Sequence, residues 1–128
     1  MKEAVFQITR SAYGKIKKYA EKTYPDEGCG VLLASSTGRI EDVYFANNTV
    51  SSGQALNHYR IDPLELYEIE KRAADKGYEI MGFFHSHPDC APVPSKEDAD
   101  NMIPRMLYII MSVENGKPVK TKGYIKED

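Results

Sequence analysis

The chain is poor in cysteine. Cys29 and Cys90 are the only two among its 128 residues, and they form no CxxC pair. A disulfide scaffold is therefore not expected, nor is one needed at this size. Basic runs are missing too. Seventeen Lys and Arg face nineteen Asp and Glu, for a net charge of −2. Binding to phosphate backbones needs clustered cations, so nucleic acid is not an expected partner. No apolar stretch approaches the roughly 20 residues of a membrane span. The opening MKEAVFQITR has no signal-peptide apolar core. No membrane partner and a cytoplasmic location are the resulting expectations. Repeats, low-complexity segments and linkers are also lacking. What remains is 41% apolar and 28% charged residues, the balance of an ordinary globular chain. One domain, 1–128, around one core is expected.

Periodicity predicts strands and helices in alternation. Val5–Ile8 reads as a short opening strand. Ser11–Thr23 carries Ala12, Ile16, Tyr19 and Ala20 at helical spacing with lysines opposite, so it reads as an amphipathic helix. Cys29–Ala34 is an apolar strand, and Arg39–Ala46 returns after a turn at Thr37-Gly38. Asn47–Gln54 reads as a polar loop and Leu56–Ile61 as a further strand. Asp62-Pro63 opens a second helix, which Gly77 stops. Tyr78–Phe84 is an apolar, aromatic-rich strand. A helix begins at Ser95 and is limited by Pro104. Met106–Val113 is the most apolar run and is expected at the centre of a sheet. Asn115-Gly116 marks a hairpin leading to Val119–Ile125. The fold class expected is α/β (α+β), a mixed β-sheet flanked by helices.

The chemistry concentrates at the end of the strand that the Tyr78–Phe84 run begins. There His85-Ser86-His87 is followed by seven residues, then Ser95 and, three further on, Asp98. Neutral imidazoles and a carboxylate are ligands that Zn²⁺ favours, and three protein ligands leave the open position of a catalytic site. On a strand, residues i and i+2 share a face, with Cα atoms roughly 6.6 Å apart. Both rings can then converge on one ion. Pro88, Pro92 and Pro94 stiffen the connecting loop. Ser95 followed by an acidic residue three positions on has the form of a helix start, which sets Asp98 in a first turn.

Other residues admit two readings. Ser86 faces away from the histidines in an extended segment, and no GxSxG elbow surrounds it. A local hydrogen bond is its expected use. His58 reads as a polar residue on a half-exposed strand. Ser95 is an N-cap, a hydroxyl donor to a developing oxyanion, or both, since a hydroxyl has one proton and two lone pairs. Cys90 reads as a solvent-facing loop thiol, with a fourth-ligand role as the alternative. A zinc hydrolase also needs a general base. Asp26 and Glu27 stand out before the glycine-flanked entry into the Cys29 strand, but spacing alone does not separate a base from a solvated turn carboxylate.

The motif resembles that of the JAMM, or MPN-plus, metalloproteases. Their pattern is an upstream glutamate, then HxH, seven residues, Ser, two residues, Asp. Glu27, His85, His87, Ser95 and Asp98 fill every position, and Pro25-Asp26-Glu27-Gly28-Cys29-Gly30 matches the glutamate's usual context. The resemblance covers nearly the whole chain and suggests a short, prokaryotic-type member with a JAMM/cytidine-deaminase-like sandwich. It implies Zn²⁺ held by His85, His87 and Asp98, Glu27 as general base and Ser95 as oxyanion donor. It implies hydrolysis of an amide or isopeptide bond at the C-terminal Gly-Gly of a ubiquitin-like or sulfur-carrier protein. The alternative within the resemblance is a latent or non-catalytic scaffold that binds such a protein; retention of all five residues argues against it. A zinc deaminase would need H-x-E with P-C-x-x-C, which the chain lacks.

Overall fold

Strand alternation sorts the core into two layers. In the computed structural model, which describes residues 1–46 and 61–127, Leu32, Phe84, Ile109 and Met111 pack in one cluster. Their sequence neighbours Val31, Leu33, Phe83, Tyr108 and Ile110 pack in another. Successive strand residues point to opposite faces, so these runs are apolar on both sides and need cover on both. One helix supplies each cover: Ala12, Ile16 and Ala20 join the first cluster, Ile69 and Ala73 the second.

The elements are β1 (Lys2–Glu3), α1 (Arg10–Thr23), β2 (Cys29–Ala34), β3 (Ile40–Ala46), α2 (Pro63–Asp75), β4 (Glu79–Pro88), α3 (Lys96–Asn101), β5 (Leu107–Glu114) and β6 (Lys117–Ile125). Among the described residues, six strands form one sheet in the order β1-β6-β5-β4-β2-β3, and only the β4–β5 pair runs parallel. This is the expected mixed sheet with flanking helices, and the Met106–Val113 run lies centrally within it as β5.

Local chemistry sets the boundaries. Thr9 caps α1 by accepting from the Ala12 N–H at 3.1 Å. Asp62 caps α2 through the Leu64 N–H at 3.0 Å, with Pro63 at the first helical position. Asn115 (φ +50°) and Gly116 (φ +82°) turn β5 into β6 with the left-handed pair that a two-residue hairpin requires.

One expectation needs correction. Val5–Ile8 is not a strand. Strand pairing occurs at Lys2–Glu3 with β6, and Ile8 makes only an isolated bridge to Ile40 of β3. The segment instead links the two outer strands of the sheet, leaving Val5 fully exposed while Ala4, Phe6 and Ile8 pack on the core. Both histidines lie at the end of a buried strand, as expected. β4 continues through both histidines to Pro88 because β5 pairs with it residue by residue, Gly82 with Leu107 through Pro88 with Val113. The Asn47–Gln54 loop, His58 and nearly all of the Leu56–Ile61 strand lie outside the described residues. Among the described residues, no helix is long and apolar enough to cross a membrane.

The architecture fixes where chemistry can occur. The carboxyl ends of the parallel pair lie side by side, and their connection carries α3. A crevice at such strand ends is a usual ligand site.

Candidate metal centre

Period-two alternation places His85 and His87 on the face of Phe83, and Ser86 on the face of Phe84. Both imidazoles are buried. Their Nε2 atoms lie 3.1 Å apart. Asp98 Oδ2 lies 3.2 Å from Nε2 of His85 and 3.0 Å from Nε2 of His87. The carboxylate is delivered by the first turn of α3, where a capping box locks it. Asp98 Oδ2 accepts from the Ser95 N–H at 2.9 Å, and Ser95 Oγ accepts from the Asp98 N–H at 3.0 Å. Ser95 is therefore a cap in this structure. Its hydroxyl accepts in that role, so its single proton is still available to donate elsewhere.

The orientation of His87 follows from its other nitrogen. Nδ1 lies 2.9 Å from the Ala91 carbonyl oxygen, which can only accept. Nδ1 therefore carries the proton, and in the neutral ring Nε2 presents a lone pair to the cluster, the outer-shell arrangement typical of ligating histidines. The loop supplying that carbonyl is pinned on both sides of it. Ser112 Oγ donates to the Cys90 carbonyl at 2.7 Å, and the Tyr124 hydroxyl to the Pro92 carbonyl at 2.8 Å. Three consecutive carbonyls are thus held by side chains, in addition to the stiffness of the prolines.

Glu27 arrives from the turn between α1 and β2. Cys29 pairs with His85 in antiparallel register, and Ser86 N–H donates to the Gly28 carbonyl at 3.0 Å. Continuing that register sets Glu27 opposite His87. Its carboxylate is buried, with 3% exposure. The ligand atoms of Glu27, His85, His87 and Asp98 all lie within 4.8 Å of one another. Asp26, the other candidate base, is not in this group.

Burial and proximity perturb each group. Burial pushes the Glu27 carboxyl up to about 8, against the opposing influence of His87. Desolvation holds His85 below the ordinary imidazole value, although its hydrogen bond to Asp98 acts the other way. In His87 burial also acts downward, but the hydrogen bonds to Asp98 and the Ala91 carbonyl prevail and raise it. Burial acts to raise Asp98. The hydrogen bonds from both imidazoles outweigh it, with help from the Ser95 N–H, and hold the carboxyl well below the usual range.

These residues fit a zinc ion. Two imidazole nitrogens and a carboxylate oxygen are zinc donors, with bond lengths of roughly 2.0–2.2 Å. Tetrahedral corners at those lengths are roughly 3.3 Å apart, and the three observed separations are 3.0–3.2 Å. Three lone-pair-bearing atoms packed this closely repel unless a cation or shared protons lie among them. The donor set contains no thiolate. Cys90 is exposed, lies outside the cluster, and has a thiol pushed up by burial and by the nearby Glu27 and Asp98 charges. It is the exposed loop thiol expected, and its sulfur is not in the group of candidate donors. Ser86 departs from expectation. Its hydroxyl makes a bond 58 positions distant in sequence, accepting from the Gly28 N–H at 2.8 Å. Ser112 and Tyr124 were invisible as site residues because only their strand positions, not their loop partners, could be read from spacing.

Similarity to known proteins extends over most of the chain. The family model of prokaryotic homologs of the JAB domain matches residues 9–122. A desampylase from Haloferax volcanii is 34% identical over 89 residues, covering 69% of this chain and 63% of that protein. The match thus spans less than two thirds of the desampylase. A probable TtuB-protein conjugate cleaving protease from Thermus thermophilus is 26% identical over 110 residues, 86% of this chain and 72% of that one. The solution structure of a Desulfitobacterium hafniense protein superposes with a TM-score of 0.79 at 30% identity, covering 96% of this chain and 90% of the other.

Proposed function

The chain belongs to the prokaryotic homologs of the JAB domain, and on that premise we propose that it is a zinc-dependent peptidase. Its substrate is the amide or isopeptide bond after the C-terminal Gly-Gly of a ubiquitin-like or sulfur-carrier protein. A single domain, residues 1–128, would carry the residues of this reaction. The observation that carries the reading is the buried cluster itself: two imidazole nitrogens and a carboxylate oxygen 3.0–3.2 Å apart, with a second buried carboxylate beside them.

His85, His87 and Asp98 would hold the ion. When bound, zinc supplies Lewis acidity, lowering the pKa of water toward ~7 and polarising the scissile carbonyl. Glu27 accepts the proton of the attacking water and returns it to the leaving nitrogen. Its burial suits both halves of this task, because a carboxyl raised toward neutrality is both an adequate base and an adequate acid near pH 7. A cation held by His85, His87 and Asp98 would draw that value back down. Ser95 donates its free hydroxyl proton to the oxygen that becomes negative at the tetrahedral stage. The Asp98 side chain and the Ser95 main chain stay locked throughout.

The substrate class is supported by the names of the relatives, a desampylase and a conjugate-cleaving protease. A Gly-Gly tail has no side chains to clash beside a buried metal group and can lie extended, held by main-chain hydrogen bonds. The test is a fusion of a Gly-Gly-ending carrier to a short C-terminal extension, incubated with zinc-loaded protein and followed by intact mass spectrometry. Release of the extension after the second glycine, abolished by chelation, is expected. If unstructured peptides were cut as readily as the folded carrier, the carrier-protein reading would fail in favour of a general peptidase.

A further inference from the structure

Glu27 rides on a short turn that is anchored at one end to the strand bearing the histidines and at the other to Asp89, the residue that follows that strand. On the core side the Gly28 N–H donates to Ser86 Oγ at 2.8 Å, and the Ser86 N–H donates to the Gly28 carbonyl at 3.0 Å. Both residues are buried. Gly28 has no room for a side chain, since a Cβ would stand 2.7 Å from Thr23 Oγ1 and from the Tyr19 ring. On the solvent side the Tyr24 hydroxyl donates to Asp89 Oδ2 at 2.5 Å. Asp89 is itself immobilised. Its Oδ1 accepts from the Asn115 N–H at 2.9 Å, and its own N–H donates to the Val113 carbonyl at 2.7 Å. Its φ of +54° is one that aspartate adopts more readily than most residues.

Ser86 lies between the two histidines yet faces away from them, and its side chain grips the residue next to Glu27. Asp89 follows the second histidine by two positions and grips the start of the same turn. We infer that Ser86, with the Tyr24–Asp89 pair as a second anchor, is a positioning residue that holds the Glu27 carboxylate in register with His85 and His87. The inference rests on Glu27 being the base. A carboxylate on a turn has backbone and side-chain freedom to lose, and small misplacements of a catalytic group are expensive in rate. Anchoring residues 24 and 28 fixes both ends of the segment that carries residue 27. The competing account is that Ser86 merely satisfies a buried N–H and so supports the fold without setting the rate.

The experiment compares zinc-loaded wild type, Ser86→Ala, Ser86→Thr, Tyr24→Phe, Glu27→Gln and the Ser86→Ala/Glu27→Gln double variant on the carrier fusion. For Ser86→Ala, kcat is expected to fall on the order of 10–100-fold. KM and zinc affinity, the latter by competition with a chromophoric chelator, stay within about twofold of wild type, since the ligands themselves are untouched. Ser86→Thr, which keeps the hydroxyl, restores most of the rate. In the Glu27→Gln background the second substitution costs nothing further, because there is no base left to position. Tyr24→Phe removes only the solvent-side anchor and lowers kcat about fivefold, the worth of one hydrogen bond; it tests the inference even if Ser86→Ala does not fold. Full turnover in Tyr24→Phe or Ser86→Ala, a loss that tracks lost zinc, or an equal loss in the Glu27→Gln background each overturns it. Crystal structures of zinc-loaded wild type and of the anchor variants give a readout independent of turnover. The Glu27 carboxylate is expected to shift in the variants, and an unmoved carboxylate overturns the inference. A shifted carboxylate with a wild type that cuts nothing would instead sink the peptidase reading and leave the positioning role intact.

Discussion

Glu27 is a buried carboxylate beside two imidazoles and a second carboxylate, and two consequences follow for one substitution. Glu27→Gln keeps the size and removes the titrating proton. It should bind zinc with wild-type stoichiometry while turnover falls roughly 10²–10⁴-fold, the usual worth of a general base. Normal turnover in Glu27→Gln, with a large loss in Asp26→Asn, would reverse the assignment. The second consequence concerns the metal-free protein. Burial raises this carboxyl from 4.5 to about 8, so between those values the folded state holds a proton that the unfolded chain has released. By linkage the Glu27 contribution to stability is fully present below about 4.5 and is lost as pH rises toward about 8. Chemical denaturation across this range should show a negative slope that is shallower in Glu27→Gln, and equal slopes would contradict the burial argument. The histidines and Asp98 were legible in the sequence because the i, i+2 rule and a helix start are local. Ser86, Ser112 and Tyr124 were not, because their partners are 58, 22 and 32 residues away, and a hydroxyl's partner has no signature in spacing.

Among the elements, α3 is the shortest helix and carries the most chemistry. Its six residues bury none of their own number, so it is held by its cap and by the pinned loop before it. Ser95→Ala separates two uses of one hydroxyl. Loss of the cap lowers stability by about 1 kcal/mol, whereas loss of an oxyanion donor lowers transition-state stabilisation by roughly 2.7–4 kcal/mol. The larger effect is expected in kcat; an unchanged kcat with a lowered melting temperature would leave Ser95 a cap alone. Glycines divide by the same element logic. Gly82 pairs with Leu107 at the start of the parallel ladder, and a Cβ there would run into the Leu107 backbone. Gly82→Ala should destabilise by roughly 1–3 kcal/mol or more. Gly14, exposed in α1 with nothing near its Cβ position, should gain roughly 0.5–1 kcal/mol as alanine. Thermal melts of the two variants should move in opposite directions, and parallel shifts would refute the packing analysis. Element types were readable wherever one periodicity held. The opening segment misled because Phe6 and Ile8 alternate like a strand, whereas their contacts serve a crossing between the sheet's two outer strands.

At the scale of the molecule, the sheet order could not be read from the chain, since it depends on pairings between strands distant in sequence. The mixed class could, because strands and helices alternate and a hairpin closes the sequence. The parallel β4–β5 pair gathers the ligands. It ends both strands at one edge and routes the connection through α3, so His85, His87 and Asp98 meet without a dedicated loop fold. β2, on the other flank of β4, brings Glu27 to the same point. The strands thus gather one group of residues that could hold a metal ion, Glu27, His85, His87 and Asp98. The most direct measurement is calorimetric titration of the metal-free protein with zinc at neutral pH. One tight site per chain is predicted, absent from the His85→Ala/His87→Ala double variant. No saturable site in the wild type, or the same site retained in the double variant, would contradict the account.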